Sequence, residues 1–229
     1  DGSHVYYLEN MDLFCTKILH ASKSDFLALL PKGCYIIPQA GRLKWSASRE
    51  TINATVFYVH PTVLPKNLKW VTAAVTAVLD QHSRNINIIG EVPGVVKDSY
   101  VVFTAHYDNL GMMGHQTPFP GASEVASGVA MLLYLASYYT HHTPHYTVVF
   151  IAFAGEEAAL MGSEFFVKDP MIPLHNIKFL VNMNLVGDAT HGVTIVNASE
   201  FPEDFGTLKE INDREKYLPE IRSRGPAAN

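Results

Sequence analysis

The sequence predicts an open α/β fold, in which a mostly parallel (mixed) central sheet carries helices on both faces. From Asn85 onward, strand-like and helix-like segments alternate along the chain, which is typical of parallel sheets with crossover helices. The segment Ser99–His106 is almost continuously apolar, as expected of a strand that is covered on both faces. With 48% hydrophobic and 17% charged residues in 229, the chain has the composition of a globular protein.

Residues 1–65 are predicted to form a lead-in or cap segment that precedes the α/β domain at 66–229. This segment contains two helical patterns followed by two short apolar runs, and Pro31-Lys-Gly ends the second helical pattern. A stronger helix follows, because its apolar residues recur at the spacing that lines one helix face. These elements are the helices Asn10–His20 and Ser24–Leu30, the apolar runs Cys34–Ile37 and Thr55–Val59, and the helix Lys66–His82.

The α/β domain is predicted from two kinds of pattern. Short runs of β-branched and aromatic residues indicate strands, and apolar residues three or four positions apart indicate helices. In chain order the elements are the strands Ile86–Val92 and Ser99–His106, the helix Glu124–Tyr139, the strand Tyr146–Phe153, the helix Glu156–Val167, the strands Ile177–Asn184 and Val193–Val196, and the helix Glu203–Lys216.

Charge and hydropathy exclude several kinds of partner. The net charge is -5 and the basic residues do not cluster, so we expect no nucleic-acid partner. We also expect no membrane span, because apolar runs stay well below the roughly 18 residues that one requires. Cys15 and Cys34 leave two interpretations open, a disulfide in an exported protein or a small buried apolar residue at Cys15.

Polar side chains follow three of the predicted strands. His106 and Asp108 end one strand, Glu156 and Glu157 follow the next, and a third carries Asn182 and Asn184. Ligands bind at the carboxyl ends of the strands in open α/β sheets, and Glu124 begins the helix after a long loop beside this edge. A histidine with several carboxylates suggests a divalent metal such as zinc.

Each of these residues also has a purely structural interpretation. His106 is equally compatible with a hydrogen-bonded histidine at a strand end. Glu124, Glu156 and Glu157 all fall in predicted first helical turns, where acidic side chains interact favourably with the helix dipole. Their coincidence at one sheet edge is what the structural interpretation leaves unexplained.

Four motifs in order make the chain resemble the zinc aminopeptidase-like family, metallopeptidase family twenty-eight, over roughly Asn85–Asn229. That family includes bacterial leucyl aminopeptidases and is similar in fold to glutamate carboxypeptidases and glutaminyl cyclases, so the resemblance implies the zinc-exopeptidase-like (phosphorylase/hydrolase-like) fold. The motifs are T-A-H-Y-D at 104–108, P-G-A-S-E-V-A-S-G at 120–128, F-A-G-E-E-A-A-L-M-G-S at 153–163 and N-M-N-L-V-G at 182–187.

The resemblance implies a role for each motif residue. Glu156 would be the general base, and Asp108 would orient the imidazole of His106. The metal ligands would be His106, Glu124 as the bridge between two zinc ions, Glu157, and the residue at 184, together with a final histidine that the family places after a stretch similar to 224–229.

Two ligand positions depart from the family pattern. The family has aspartate where this chain has Glu124 and Asn184, so the bridging carboxylate is one methylene longer and one charged ligand is replaced by an amide. The final histidine is also expected to be missing, because the chain ends at Asn229. We therefore expect weak, single or absent zinc binding. His115, in the neighbouring loop, is either a substitute ligand or a solvated side chain.

Two functions follow from the resemblance. The first is a metalloexopeptidase of aminopeptidase type with a peptide substrate, and the alternative is a catalytically impaired family member that binds peptides or proteins. The loop Asn109–Phe119, with Met112 and Met113, is either an apolar wall of the substrate pocket or local packing. Family habit implies a secreted, periplasmic or cell-envelope location, and the oligomeric state is not predicted.

Overall fold

The computed structural model of the chain describes residues 5–7, 30, 32–41, 52, 54–67, 75, 79–80, 82–113 and 115–226. The chain divides into two compact units, Asp1–Ser83 and Arg84–Asn229. The predicted helix Asn10–His20, almost all of the predicted helix Ser24–Leu30 and most of Lys66–His82 lie outside the described residues, as does Cys15. Cys34 is half-buried and has a free thiol.

The first unit contains a three-stranded parallel sheet, in which the second strand lies between the other two. Its second and third strands contain the two apolar runs noted in the sequence, and Tyr35, Ile36 and Ile37 are buried. The strands are β1 (Val5–Tyr7), β2 (Gly33–Pro38) and β3 (Ala54–Val59).

The second unit alternates strands and helices, as the sequence predicts. Its elements are β4 (Ile88–Val92), β5 (Val96–His106), β6 (Met112–Met113), β7 (Thr117–Pro118), α1 (Ser127–His141), β8 (Tyr146–Phe153), α2 (Met161–Lys168), β9 (Ile177–Asn182), β10 (Val193–Val196), α3 (Pro202–Glu215) and β11 (Ile221–Arg224). None of the described helices has both the length and the apolar character that a bilayer span needs.

Four of these strands form the central sheet in the order β4-β8-β5-β9. Strands β5, β8 and β9 run parallel, and β4 is antiparallel to β8. The predicted mostly parallel, mixed sheet is therefore confirmed. In this register His106 lies beside Phe153, and Thr104 lies beside Asn182, so three parallel strands end at one edge.

Helices cover both faces of this sheet because its central strands are apolar on both sides. On one face Val149 and Ile151 of β8 pack with Phe166 of α2. On the other face Val148 and Phe150 pack with Leu132 of α1. The prediction of helices on both faces is confirmed.

The structure differs from the sequence prediction at the ends of elements that carry site residues. Helix α2 begins at Met161, five residues later than predicted, because Gly155, Ala159 and Leu160 have positive φ angles that no α-helix accommodates. Glu124 lies in a π-helical turn, Ala122–Ala126, ahead of α1. The strand predicted at Val193–Val196 is confirmed as β10, whereas the sequence prediction missed its partner β11 and the small sheet β6-β7.

Candidate active site

The candidate site lies where β5, β8 and β9 end. His106 is the last residue of β5 and is only 6% exposed. Two residues earlier on β5, the hydroxyl of Thr104 donates a 2.8 Å hydrogen bond to Oδ1 of Asn182. This bond ties β5 to the end of β9. The next residue, Met183, donates its backbone N–H to the carbonyl of Thr104 at 2.8 Å. The loop that carries Asn184 is thus held against β5.

The imidazole of His106 is buried with its hydrogen-bonding capacity unused. Among the described residues, neither ring nitrogen has a hydrogen-bond partner. Nδ1 lies 3.8 Å from Oδ1 of Asp108 and 3.8 Å from Oε2 of Glu156, which is beyond hydrogen-bonding distance. Buried polar groups without a partner are rare in proteins and often mark a site for a ligand or an ion.

Asp108 holds the loop that follows β8. Its Oδ1 accepts the backbone N–H of Glu156 and its Oδ2 accepts that of Glu157, each at 3.1 Å. Hydrogen bonds to an ionised carboxylate are stronger than those between neutral groups. The family resemblance implies that Asp108 orients His106; in this structure its carboxylate accepts the two glutamate amides, and its Oδ1 also lies 3.8 Å from Nδ1 of His106.

The carboxylates of the site repel one another. Burial raises the pKa of Glu157, and the nearby charges of Glu156 and Glu124 raise it further, whereas His106 lowers it and Asp108 adds a smaller upward effect. Four carboxylates therefore lie close enough to interact around a single imidazole. A bound cation would relieve this repulsion.

The rim of the site consists of the π-helical turn that carries Glu124 and the loop after β9 that carries Asn184, and both of these residues are exposed. The π-helical turn that carries Glu124 is tied to the loop after β9 by Ser127, whose Oγ donates to the carbonyl of Ser123 at 2.6 Å and accepts the N–H of Val186 at 3.1 Å. The structure therefore brings all six predicted site residues to one edge of the sheet: His106, Asp108, Glu124, Glu156, Glu157 and Asn184.

Zinc fits this arrangement only in part. The unpartnered imidazole of His106 and the facing carboxylates are the donors that zinc prefers. However, within the part of the chain that the structure describes, no three His, Cys, Asp or Glu side chains form a group that would hold a metal ion. The residues present therefore offer donors for zinc beside His106, and the described ones do not form a closed ligand set for even one ion.

A cavity of about 300 Å³ opens beside the site. His106, Glu156 and Asn184 lie on its wall, and the rest of its lining is mainly apolar. The apolar lining residues are Ile151, Phe153, Ala154, Leu160, Phe166, Val167, Leu174, Ile177 and Leu180.

No described residue of the loop Asn109–Phe119 lines this cavity. It contains the β6-β7 hairpin, in which Met112 and Met113 are 54% and 41% exposed. The side chain of Asn109 closes the loop by donating to the carbonyl of Phe119 at 2.7 Å. His115 is exposed in the hairpin turn, so the structure favours a solvated His115, and the exposed methionines support neither of the two interpretations.

Two supporting residues were not identified from the sequence. The side chain of Asn87 bonds to both ends of the loop between β8 and α2, and Ser127 joins two rim segments. A lone asparagine before a strand carries no sequence signal, whereas Ser127 lies within the second motif.

Comparisons with known proteins agree with this architecture. The model of peptidase family M28 matches residues 87–216. A probable zinc metalloprotease of Pyrenophora tritici-repentis is 37% identical over 94 residues, which cover 40% of this chain and 22% of that relative. The chain therefore spans about a fifth of the length of this curated relative.

Solved structures share the fold at low sequence identity. A leucine aminopeptidase precursor from Bacteroides thetaiotaomicron has a TM-score of 0.53 and 20% identity, covering 62% of this chain and 58% of that one. An Acidobacteriales bacterium glutaminyl cyclase has a TM-score of 0.51 and 22% identity, covering 63% and 52%. Because the family model matches more than half of the chain and the sheet, motifs and fold agree with it, the chain belongs to peptidase family M28.

Proposed function

We propose that this chain carries the site of a zinc-dependent aminopeptidase, which removes N-terminal residues from peptides. The observation that carries the proposal is the buried imidazole of His106, which has no hydrogen-bond partner in the part of the chain that the structure describes and lies among four carboxylates at the carboxyl edge of a parallel sheet. In this proposal His106 and Glu157 hold zinc, with Glu124 and Asn184 as weaker ligands. Zinc at such a site polarises the substrate carbonyl and lowers the pKa of a water molecule.

Glu156 is the general base of the proposed reaction. Its carboxylate is 36% exposed, its Oε2 lies 3.8 Å from Nδ1 of His106, and it faces the cavity. Such a carboxylate is accessible to water and substrate, so Glu156 takes a proton from the attacking water and returns it to the leaving amine. Asp108 keeps Glu156 in place through the backbone amide.

The charge of the site favours the amino end of a peptide over the carboxyl end. The neighbours that act on Glu157 are three carboxylates and His106. With one zinc ion bound, the four carboxylates would still leave an excess of negative charge, which attracts the ammonium group of a substrate N-terminus and repels a C-terminal carboxylate. The adjoining apolar cavity accommodates an uncharged side chain.

The test combines metal content with turnover. We expect elemental analysis to find zinc after incubation with excess metal, and we expect hydrolysis of leucyl-p-nitroanilide that Glu156→Gln abolishes. The matched control is Glu164→Gln, since Glu164 lies on α2 in an exposed ion pair with Lys168 and is expected to have no effect on turnover. N-acetyl-leucyl-p-nitroanilide, which lacks the ammonium group, is expected to resist hydrolysis; equal rates on both substrates would refute the aminopeptidase assignment.

A second candidate function is a catalytically impaired domain that binds peptides or proteins. The lack of a three-residue His, Cys, Asp or Glu metal group among the described residues favours it, as do Glu124 and Asn184 in place of aspartates. No zinc uptake and no turnover would support this candidate over the enzyme. The double variant Glu124→Asp, Asn184→Asp is expected to raise zinc affinity in equilibrium dialysis, and an unchanged affinity would refute the ligand roles of these two positions.

A further inference from the structure

The loop between β8 and α2 carries Glu156 and Glu157 in a conformation that needs support. Gly155 has φ 68°, and the successive residues Ala159 and Leu160 both have φ 62°. Left-handed backbone is unfavourable for residues with a Cβ and persists only where surrounding contacts enforce it.

One side chain from outside the loop contacts both of its ends. Oδ1 of Asn87 accepts the N–H of Ala154 at 3.2 Å, and Nδ2 of Asn87 donates to the carbonyl of Gly162 at 2.8 Å. Both bonds are partly buried, and Asn87 immediately precedes β4. A single amide group thus closes the loop across the residues that carry Glu156 and Glu157.

The close approach of Asn87 depends on Gly162. A Cβ at position 162 would lie 2.4 Å from Oδ1 of Asn87 and 2.3 Å from the carbonyl oxygen of Ala154, well inside normal contact. The first turn of α2 is therefore seated against Asn87. Asp108 holds the middle of the same loop through the amides of Glu156 and Glu157.

We propose that Asn87 is a positioning residue for Glu156 and Glu157, acting through the backbone of the loop rather than by contact with substrate. The catalytic part of this inference rests on the proposed peptidase function, whereas the effect on the loop does not. Removal of the Asn87 amide is expected to let the loop open and to displace both carboxylates from His106.

The test compares Asn87→Ala and Asn87→Asp in the full chain, with hydrogen–deuterium exchange of the loop 154–162 as the primary measurement. Loss of both hydrogen bonds in Asn87→Ala is expected to speed exchange there by roughly tenfold or more. Asn87→Asp keeps the acceptor for Ala154 but turns a carboxylate oxygen toward the carbonyl of Gly162, so exchange is expected to rise mainly at the α2 end of the loop. If Asn87→Ala does not fold, Asn87→Asp against wild type decides the question alone.

Asn212→Ala is the matched control. Asn212 makes the same kind of double contact, to the N–H of Leu218 at 2.8 Å and to its carbonyl at 3.0 Å, at the end of α3. We expect this variant to lose stability without any change in exchange of the loop 154–162. Equal loop exchange in the Asn87 and Asn212 variants would overturn the proposal.

Kinetics separate positioning from a general loss of folding. In active protein, Asn87→Ala is expected to lower kcat by roughly tenfold with little change in KM, whereas Asn212→Ala is expected to change neither. Equal kcat losses in both variants would also overturn the positioning role. If wild type shows no turnover, the proposed peptidase function fails, and the exchange measurement still tests Asn87.

Discussion

Gly128 sets how closely α1 approaches the rim of the site, and its replacement by alanine tests that packing. Gly128 is buried, and a Cβ built there would lie 2.4 Å from the carbonyl oxygen of Met183 and 3.4 Å from Cβ of Ala105. A carbon and an oxygen normally stay at least about 3.3 Å apart. The backbone of α1 or of the loop after β9 must therefore move by roughly 1 Å in Gly128→Ala.

The net cost follows from two opposing effects. Overpacking of this kind destabilises proteins by about 1–3 kcal/mol. Replacing glycine by alanine within a helix stabilises the helix by about 1 kcal/mol. The difference leaves a net loss of about 0–2 kcal/mol in the free energy of unfolding, and we expect about 1 kcal/mol for Gly128→Ala, which corresponds to a fall in Tm of roughly 2–4 °C for a domain of this size.

The assay is urea unfolding followed by far-UV circular dichroism, with Gly206→Ala as the matched control. Gly206 lies in α3, and no atom of the described residues would come within 4 Å of a Cβ there, apart from its own helix backbone and chain neighbours. That variant is expected to gain up to about 1 kcal/mol. Equal stabilisation by Gly128→Ala and Gly206→Ala would show that α1 is not in tight contact with the rim and would refute this prediction.

Three further predictions concern stability. Ser127→Ala removes the hydroxyl that accepts the N–H of Val186, and we expect a loss of about 1 kcal/mol in urea unfolding; no loss would show that the two rim segments are not coupled. The pKa of Asp188 is lowered because the hydroxyl and the backbone N–H of Thr190 donate to its carboxylate, so the ionised form is favoured by folding. Its stabilisation is present above the pKa of the unfolded state and is lost as pH falls through the folded-state pKa. Asp188→Asn is therefore expected to be less stable than wild type at neutral pH and equal to it in strong acid, and a difference that does not depend on pH would contradict this. Ile151→Val, at a position with 0% exposure in the core beside the cavity, is expected to cost about 1 kcal/mol by thermal unfolding, and a neutral result would mean that the core relaxes around the lost methylene.

Buried strands and their ends were predictable from the sequence. Strand β5 reads as an apolar run because both of its faces are covered, and the residues at its end, His106 and Asp108, follow directly from that pattern. The same argument placed the glutamates after β8 and the asparagines at the end of β9. Because parallel strands share one carboxyl edge, the sequence pattern alone predicts that these residues gather there.

The local conformation of the glutamate loop was not predictable in this way. The segment Glu156-Glu157-Ala158-Ala159-Leu160 consists of residues that favour helices, so the pattern predicts helix from Glu156. The structure places Ala159 and Leu160 in the left-handed region instead and starts α2 at Met161. The loop makes hydrogen bonds with the side chains of Asp108 and Asn87, which are far away in sequence. These bonds outweigh the local preference for a helix.

By itself, the sequence determined the order of the main strands and helices, the sheet edge at which polar residues gather and the family to which the chain belongs. These features are local in the sequence, because burial imposes a periodic pattern of apolar residues on each strand and helix. Only the tertiary structure decided that His106 is buried without a hydrogen-bond partner among the described residues, that Asp108 binds the glutamate amides, and that Asn87 closes their loop. These features depend on contacts between residues that lie tens of positions apart in the chain, and no local pattern encodes such distances.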